Sequence, residues 1–222
     1  MLGKRVAELY IDPESANLLI EKIDKKKDEN MYWLHSICSC TEMFPLLRVT
    51  PKEFNDLQIS YANFENEIDE AKPWSIDYER WIRAFKTSLL FLDWVNEKTE
   101  ATLLQEYKET PGALRRRIFL ADWLLYSAYE LARIKKRKEL LLPLRKLRLR
   151  MKSGVKEELL NLLQLEGIGR IRARKLFHAK IKKISDVKKT DIKILSKLIG
   201  PKIAEKIKKQ TSKTSSLKQQ SL

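Results

Sequence analysis

The sequence predicts an all-α protein, a helical bundle followed by a small domain of short helices. Three observations carry that expectation. Apolar residues recur at helical spacing along most of the chain, and strand signals are scarce. Proline and capping residues punctuate the periodic runs at helix-like intervals. The formal charge of +15 over 222 residues is also unevenly placed. Residues 1–130 hold 17 Lys and Arg against 23 Asp and Glu, whereas residues 131–222 hold 28 against 7. The basic excess therefore belongs wholly to the C-terminal part and points to a polyanion, most simply nucleic acid.

Pro13-Glu14-Ser15 opens a helix toward Ile23, and KKKDEN after it reads as a polar loop. A second helix covers Met31 to Cys40 and ends at Thr41-Glu42-Met43-Phe44-Pro45. Thr50-Pro51-Lys52-Glu53 has the character of a capping box with proline in the first turn, and its helix is expected to reach about Glu70. Lys72-Pro73-Trp74 breaks it. Tyr78 to Asn96 is apolar at helical spacing, and helices at Glu100–Lys108 and Ala113–Lys138 follow, separated by a Pro111-Gly112 turn. The stretch LLPLRKLRLRMKSG alternates apolar and basic residues and fits a strand, a short amphipathic helix or a linker. Ser153-Gly154 is a candidate boundary. Four short helical patterns fill Val155–Lys209, and the polar tail from 211 to 222 is expected to be disordered.

No apolar run approaches the length of a membrane span, and the N-terminus lacks the apolar core of a secretory signal, so no membrane contact is expected and a reducing, cytoplasmic setting is the default. Cys38 and Cys40 cannot build a disulfide framework. His35, Cys38 and Cys40 offer three ligands at cramped spacing with no fourth, short of a structural zinc site and better read as a buried helix face. No metal site and no catalytic residue are assigned. His178 has no nucleophile beside it. Asp186 and Asp191 lie among lysines, outside the context of a glycosylase aspartate. Trp74, Trp81 and Trp94 read as core.

The segment LEGIGRIRARKLF, Leu165 to Phe177, matches a helix-hairpin-helix pattern. Gly167 and Gly169 let the backbone turn tightly and approach a phosphate with no Cβ in the way. Ile168 plugs the hairpin into the core. The next helix starts at Gly169–Arg170 and aims free N–H groups at an anion, and Ala173 keeps the helices close. A degenerate copy, Leu198-Ile199-Gly200-Pro201-Lys202-Ile203-Ala204, lacks the first glycine and reads as structural. At 100° per residue Arg170 and Arg174 share a face, suited to a phosphate backbone, while Arg172 points nearly opposite, toward another surface.

The helix containing PGALRRRIFLADWLLY buries Leu114, Ile118, Ala121, Leu125, Ala128 and Ala132 on one face. Arg116 and Trp123, seven apart, share the opposite face, with Phe119 at its margin. That face suits stacking on unpaired bases, or packing on both sides with Trp123 as core; the pattern leaves both open.

The succession LYIDPESA, LHSIC followed by EM, LLFLDWVNE, PGALRRRIFLADWL and SGVKEELLNLLQLEGIGRIRARKLF resembles the C-terminal part of archaeal Hjm-type DNA helicases, of the Ski-like branch of superfamily 2 and related to the helicase part of DNA polymerase theta. The resemblance implies the end of a winged-helix domain at 1–9, a helical ratchet domain at 10–145 and a helix-hairpin-helix domain at 146–210. It implies single-strand contact by Arg116 and Trp123 in a 3′–5′ repair or replication-fork helicase, and a part for Arg170, Arg172 and Arg174 in restraining the motor. Single-stranded or forked DNA, motor domains in cis, and repair or replication proteins are the implied partners. Ala113 stands where that family often has aspartate, and His178-Ala179-Lys180 replaces a glycine-containing turn. No G-x-x-x-x-G-K-[ST] loop and no Asp-Glu-x-His box occurs, so ATP and magnesium are expected only for motor domains and no cofactor for this chain. The competing expectation is an interaction domain that docks on motor domains or repair partners.

Overall fold

The computed structural model describes residues 2–25, 27–69, 71 and 74–219, with side chains described to residue 212. Among them are helices and turns and no strand. The chain divides into two units, 1–152 and 153–222, described separately below.

In the first unit, α1 (Leu2–Leu9), α2 (Pro13–Asp24), α3 (Asn30–Cys38) and a 3-10 turn (Thr41–Met43) precede α4 (Pro51–Tyr61), α5 (Tyr78–Val95), α6 (Glu100–Tyr107), α7 (Pro111–Ile134) and α8 (Lys138–Ser153). Every residue of α3 from Met31 to Cys38 is buried. A helix apolar all round must be enclosed, and α2, α5 and α7 pack against it. Two of the polar side chains this brings inside find backbone partners, whereas His35 Nε2 is buried with no hydrogen-bond partner among the described residues. Tyr32 donates its hydroxyl to the Lys22 carbonyl (2.8 Å) and Trp33 its indole N–H to that of Lys27 (3.0 Å). Burial pushes the His35 pKa down to about 4 and the Cys40 thiol up to about 12. The trio is core, with a neutral imidazole and protonated thiols at pH 7, and no metal-binding cluster of His, Cys, Asp and Glu occurs among the described residues. Tyr78, Trp81 and Phe85 stack along α5, and Trp94 donates to the Met151 carbonyl at 2.7 Å. Trp74 departs from the expected core role, at 80% exposure.

Several expected boundaries move. Glu53 does reach back to the Thr50 N–H (2.8 Å), and Lys86 pairs with it at 2.7 Å. The helix ends at Tyr61 rather than near Glu70, because turns after it bring Phe64 and Ile68 back onto the core. Glu70, Lys72 and Pro73 lie outside the described residues. Pro111-Gly112 is not a separate turn: Pro111 is the first residue of α7 and the Thr110 hydroxyl caps it. That helix stops at Ile134, where Lys136 adopts a left-handed φ of 58° and a new helix begins at Lys138. The alternating stretch is this helix, α8, despite Pro143 inside it. Leu140, Leu144, Leu147 and Met151 are spaced three and four apart and bury one face. A boundary at 145/146 would cut α8 in the middle; the units divide between Lys152 and Ser153, at the Ser-Gly signal.

The second unit begins with 3-10 turns at Glu157–Leu159 and Leu162–Gln164, then α9 (Arg170–His178), α10 (Ile184–Lys189), α11 (Ile192–Ile199) and α12 (Pro201–Gln219). Its core is separate and includes Leu159, Leu162, Ala173, Leu176, Val187, Leu195 and Ile207. The expected disordered tail is corrected in part. The helix runs on to Gln219, and Thr211, one turn beyond Ile207, is 3% exposed. Residues 220–222 lie outside the described residues. Because the first core ends at Met151 and the second starts at Val155 with no shared member, a chain ended after Lys152 is expected to keep its helical circular dichroism and to melt cooperatively; loss of both would show that the cores depend on each other.

Candidate nucleic-acid interface

In the second unit the hairpin between the turn at Leu162–Gln164 and α9 is built from two glycines with different duties. Gly167 has φ +81°, a left-handed conformation that side chains rarely adopt, and a Cβ there would lie 3.0 Å from Ile203 Cδ1. Gly169 caps α9 with φ −101° and ψ −175°, an extended conformation open to any residue. A Cβ on it would meet nothing within 4 Å. The first glycine is thus required by the fold, and the second keeps open space beside the α9 N-terminus, where first-turn N–H groups lack helical acceptors. Ile168 is 6% exposed and Ala173 fully buried, as a hairpin plug and a close-packing residue should be.

The second hairpin shares the opening helical bond of the first but not the conformation of its glycine. Ala173 N–H donates to the Gly169 carbonyl at 2.9 Å, and Ala204 N–H to that of Gly200 at 3.0 Å. Gly200 has φ +90° and α12 opens on Pro201, which has no N–H to offer an anion. The turn after α9, at His178-Ala179-Lys180, is closed without glycine, as its sequence requires. Lys180 takes φ 66°, with Lys180 N–H donating to Phe177 and Ile181 N–H to Leu176, a Schellman closure.

The arginines separate into roles the helical wheel did not show. Arg174 pairs with Glu158 at 2.6 Å and lies over the Phe177 ring, so its guanidinium is engaged within the unit. Arg172 is exposed and donates to the Gly167 carbonyl at 3.0 Å, bracing the hairpin. Arg170, the first residue of α9, is half-buried. Exposed lysines supply much of the remaining field: residues 153–222 hold 18 Lys and Arg against 6 Asp and Glu, a net +12.

In the first unit the three successive arginines of α7 also divide. Arg117 is clamped by Glu109 at 2.8 Å and donates to the Pro45 carbonyl at 2.6 Å. Arg115 and Arg116 are exposed, with no ion pair among the described residues. Phe119 is 71% exposed and central to the outer stripe, not marginal. Trp123 is only half-exposed; it packs on the core and donates its indole N–H to the Leu9 carbonyl of α1 at 3.0 Å. Toward the C-terminal half the acids are already matched, Asp122 by Arg148 and Glu130 by Arg5 and Arg133. On α7, the cations without an ion pair among the described residues and the exposed ring therefore gather in its N-terminal half.

A family model described as "Archaeal helicase, domain 4" matches residues 31–154, more than half of the chain. The chain belongs to this archaeal helicase family. A second model, "SAM-like Helix-hairpin-helix tandem", matches residues 159–213, in agreement with the two hairpins. The chain is 39% identical over 217 residues to the ATP-dependent DNA helicase Hel308 of Methanococcus vannielii, covering 93% of this chain and 28% of that protein. It is 39% identical over 208 residues to Hel308 of Methanocaldococcus jannaschii (93% of this chain, 16% of that protein) and 34% over 212 residues to that of Pyrococcus horikoshii (94% and 30%). The chain thus spans less than a third of the length of these curated relatives, and it corresponds to their C-terminal region. Family membership accounts for the all-α bundle followed by paired hairpins.

The two glycines are separable by stability alone. Gly167→Ala is expected to cost the second unit about 1–2 kcal/mol from left-handed strain, whereas Gly169→Ala forfeits only a cap preference, about 0.5 kcal/mol. Urea unfolding checks this, and equal losses would contradict the division of roles.

Proposed function

We propose that this chain is the single-stranded-DNA-binding C-terminal module of an ATP-dependent 3′–5′ helicase that acts in repair and at replication forks. The observation that carries the reading is the outer stripe of α7, where Arg116 and Phe119 are exposed while the adjacent Arg117 is locked in an ion pair. A cation and an aromatic face on one rigid helix suit phosphate contact and base stacking without sequence preference. Trp123 contributes its exposed edge. The hairpin supplies a second contact of a different kind, in which Gly167-Ile168-Gly169 and the α9 N-terminus receive backbone phosphate and Arg170 extends the grip. Arg174 acts in this reading by holding the hairpin to Glu158, and exposed Arg172 is the residue through which the module restrains the motor.

ATP and magnesium belong, on this reading, to motor domains in the same protein, and this chain needs no cofactor. Single-stranded or forked DNA is the primary partner, with repair or replication proteins as further ones, in the cytoplasm at the nucleoid. No described helix is long and apolar enough to cross a membrane. A second reading, a surface that docks on the motor or on repair proteins, draws on α8. Lys138, Leu142, Arg145, Leu149 and Lys152 fall on one stripe, and Leu142 and Leu149 are 58% and 45% exposed.

Fluorescence anisotropy with labelled oligo(dT) separates the two. Arg116→Ala is expected to weaken binding about tenfold, or ~1.4 kcal/mol, and Gly169→Ala to weaken it with little loss of stability. Affinity should fall steeply with salt. Binding undetectable at low salt, or unchanged by both substitutions, would favour the docking reading.

A further inference from the structure

We propose that Phe44 is an additional stacking residue for an unpaired base, seated beside Arg116. The inference rests on the reading of α7 as a single-strand contact. Phe44 lies 72 positions from Arg116, just after the 3-10 turn Thr41–Met43, yet both line one cleft of about 100 Å³ with Pro45 and Leu120. The ring is 68% exposed although its surroundings are anchored: Met43 is 1% exposed, and Leu46 and Leu47 are 8% and 5%. Arg117 fixes the segment to α7 through the Pro45 carbonyl and is itself held by Glu109. The chain thus holds the backbone on both sides of Phe44 and leaves the aromatic face to solvent.

The occupant follows from charge and shape. No carboxylate lines the cleft, and Arg115 and Arg116 have no ion pair among the described residues. With Phe119 also exposed on the stripe, the site offers aromatic faces interleaved with cations. Every base has a π-face, and every nucleotide brings a phosphate for a neighbouring guanidinium. The cleft is too small to enclose a base, so contact is by stacking on the Phe44 face.

The test uses the full chain with labelled oligo(dT) and, in parallel, an abasic deoxyribose-phosphate oligomer of equal length. Phe44→Ala is expected to weaken oligo(dT) binding about fivefold or more, to leave abasic binding unchanged, and to leave the melting temperature unchanged. Phe44→Tyr should retain oligo(dT) binding. If Arg116→Ala weakens binding and Phe44→Ala does not, the assignment of Phe44 is overturned while the α7 reading stands. If neither substitution matters, both fall. An equal loss on the abasic oligomer, a lowered melting temperature, or failure of Phe44→Tyr to bind would also overturn the stacking role. Competition by an acidic peptide that is abolished in Phe44→Ala, with oligo(dT) binding intact, would assign the cleft to a protein ligand instead.

Discussion

Enclosure of α3 is the constraint on which the first unit depends. Its eight residues from Met31 to Cys38 are all buried, including a tryptophan, a tyrosine and a histidine. Burial of a large apolar side chain contributes on the order of 1.5–3 kcal/mol, so helices must cover α3 on several sides. The 24-residue α7 is one of them. It turns Leu114, Ala121, Leu125 and Ala128 inward, and helical geometry then fixes Arg116 and Phe119 outward. A surface made in this way is held by the core behind it, which is what the proposed base contact requires.

The hairpin works by backbone rather than by side chain. Left-handed Gly167 and buried Ile168 shape the turn, and Gly169 leaves the helix end uncovered. Arg172 and Arg174 spend hydrogen bonds on the unit itself, through the Gly167 carbonyl and Glu158. The local cluster of arginines is therefore partly a scaffold, and the positive field of the unit comes largely from its lysines.

Much of this was legible in the sequence, for identifiable reasons. Helical periodicity and prolines located α2, α5 and α7, and the glycine spacing located the hairpin, because these are local signals. What required the fold were pairings between distant residues. Nothing near Trp123 indicates that its N–H meets the Leu9 carbonyl, nor near Arg117 that Pro45 lies beneath it. For the same reason a helical wheel could not distinguish the exposed ring of Phe119 from the half-covered Trp123. The alternating segment of α8 stayed open between strand, helix and linker because its basic residues fall between core leucines, and the partners decide for the helix: Arg148 meets Asp122, and Arg150 meets the Val95 carbonyl. The early stop of α4 was hidden because Phe64 and Ile68 fit a helical period as well as they fit the turns.

The proposed function predicts that single-stranded DNA contacts two unlike surfaces, a cation–aromatic stripe on α7 in the first unit and a backbone hairpin before α9 in the second. Photo-crosslinking of a thiothymidine-substituted oligonucleotide to the full chain, with peptide mapping, tests it most directly. Crosslinks are expected in residues 111–123 and in residues 165–172. Crosslinks confined to α2 and α5, or the lack of either expected peptide, would contradict the account.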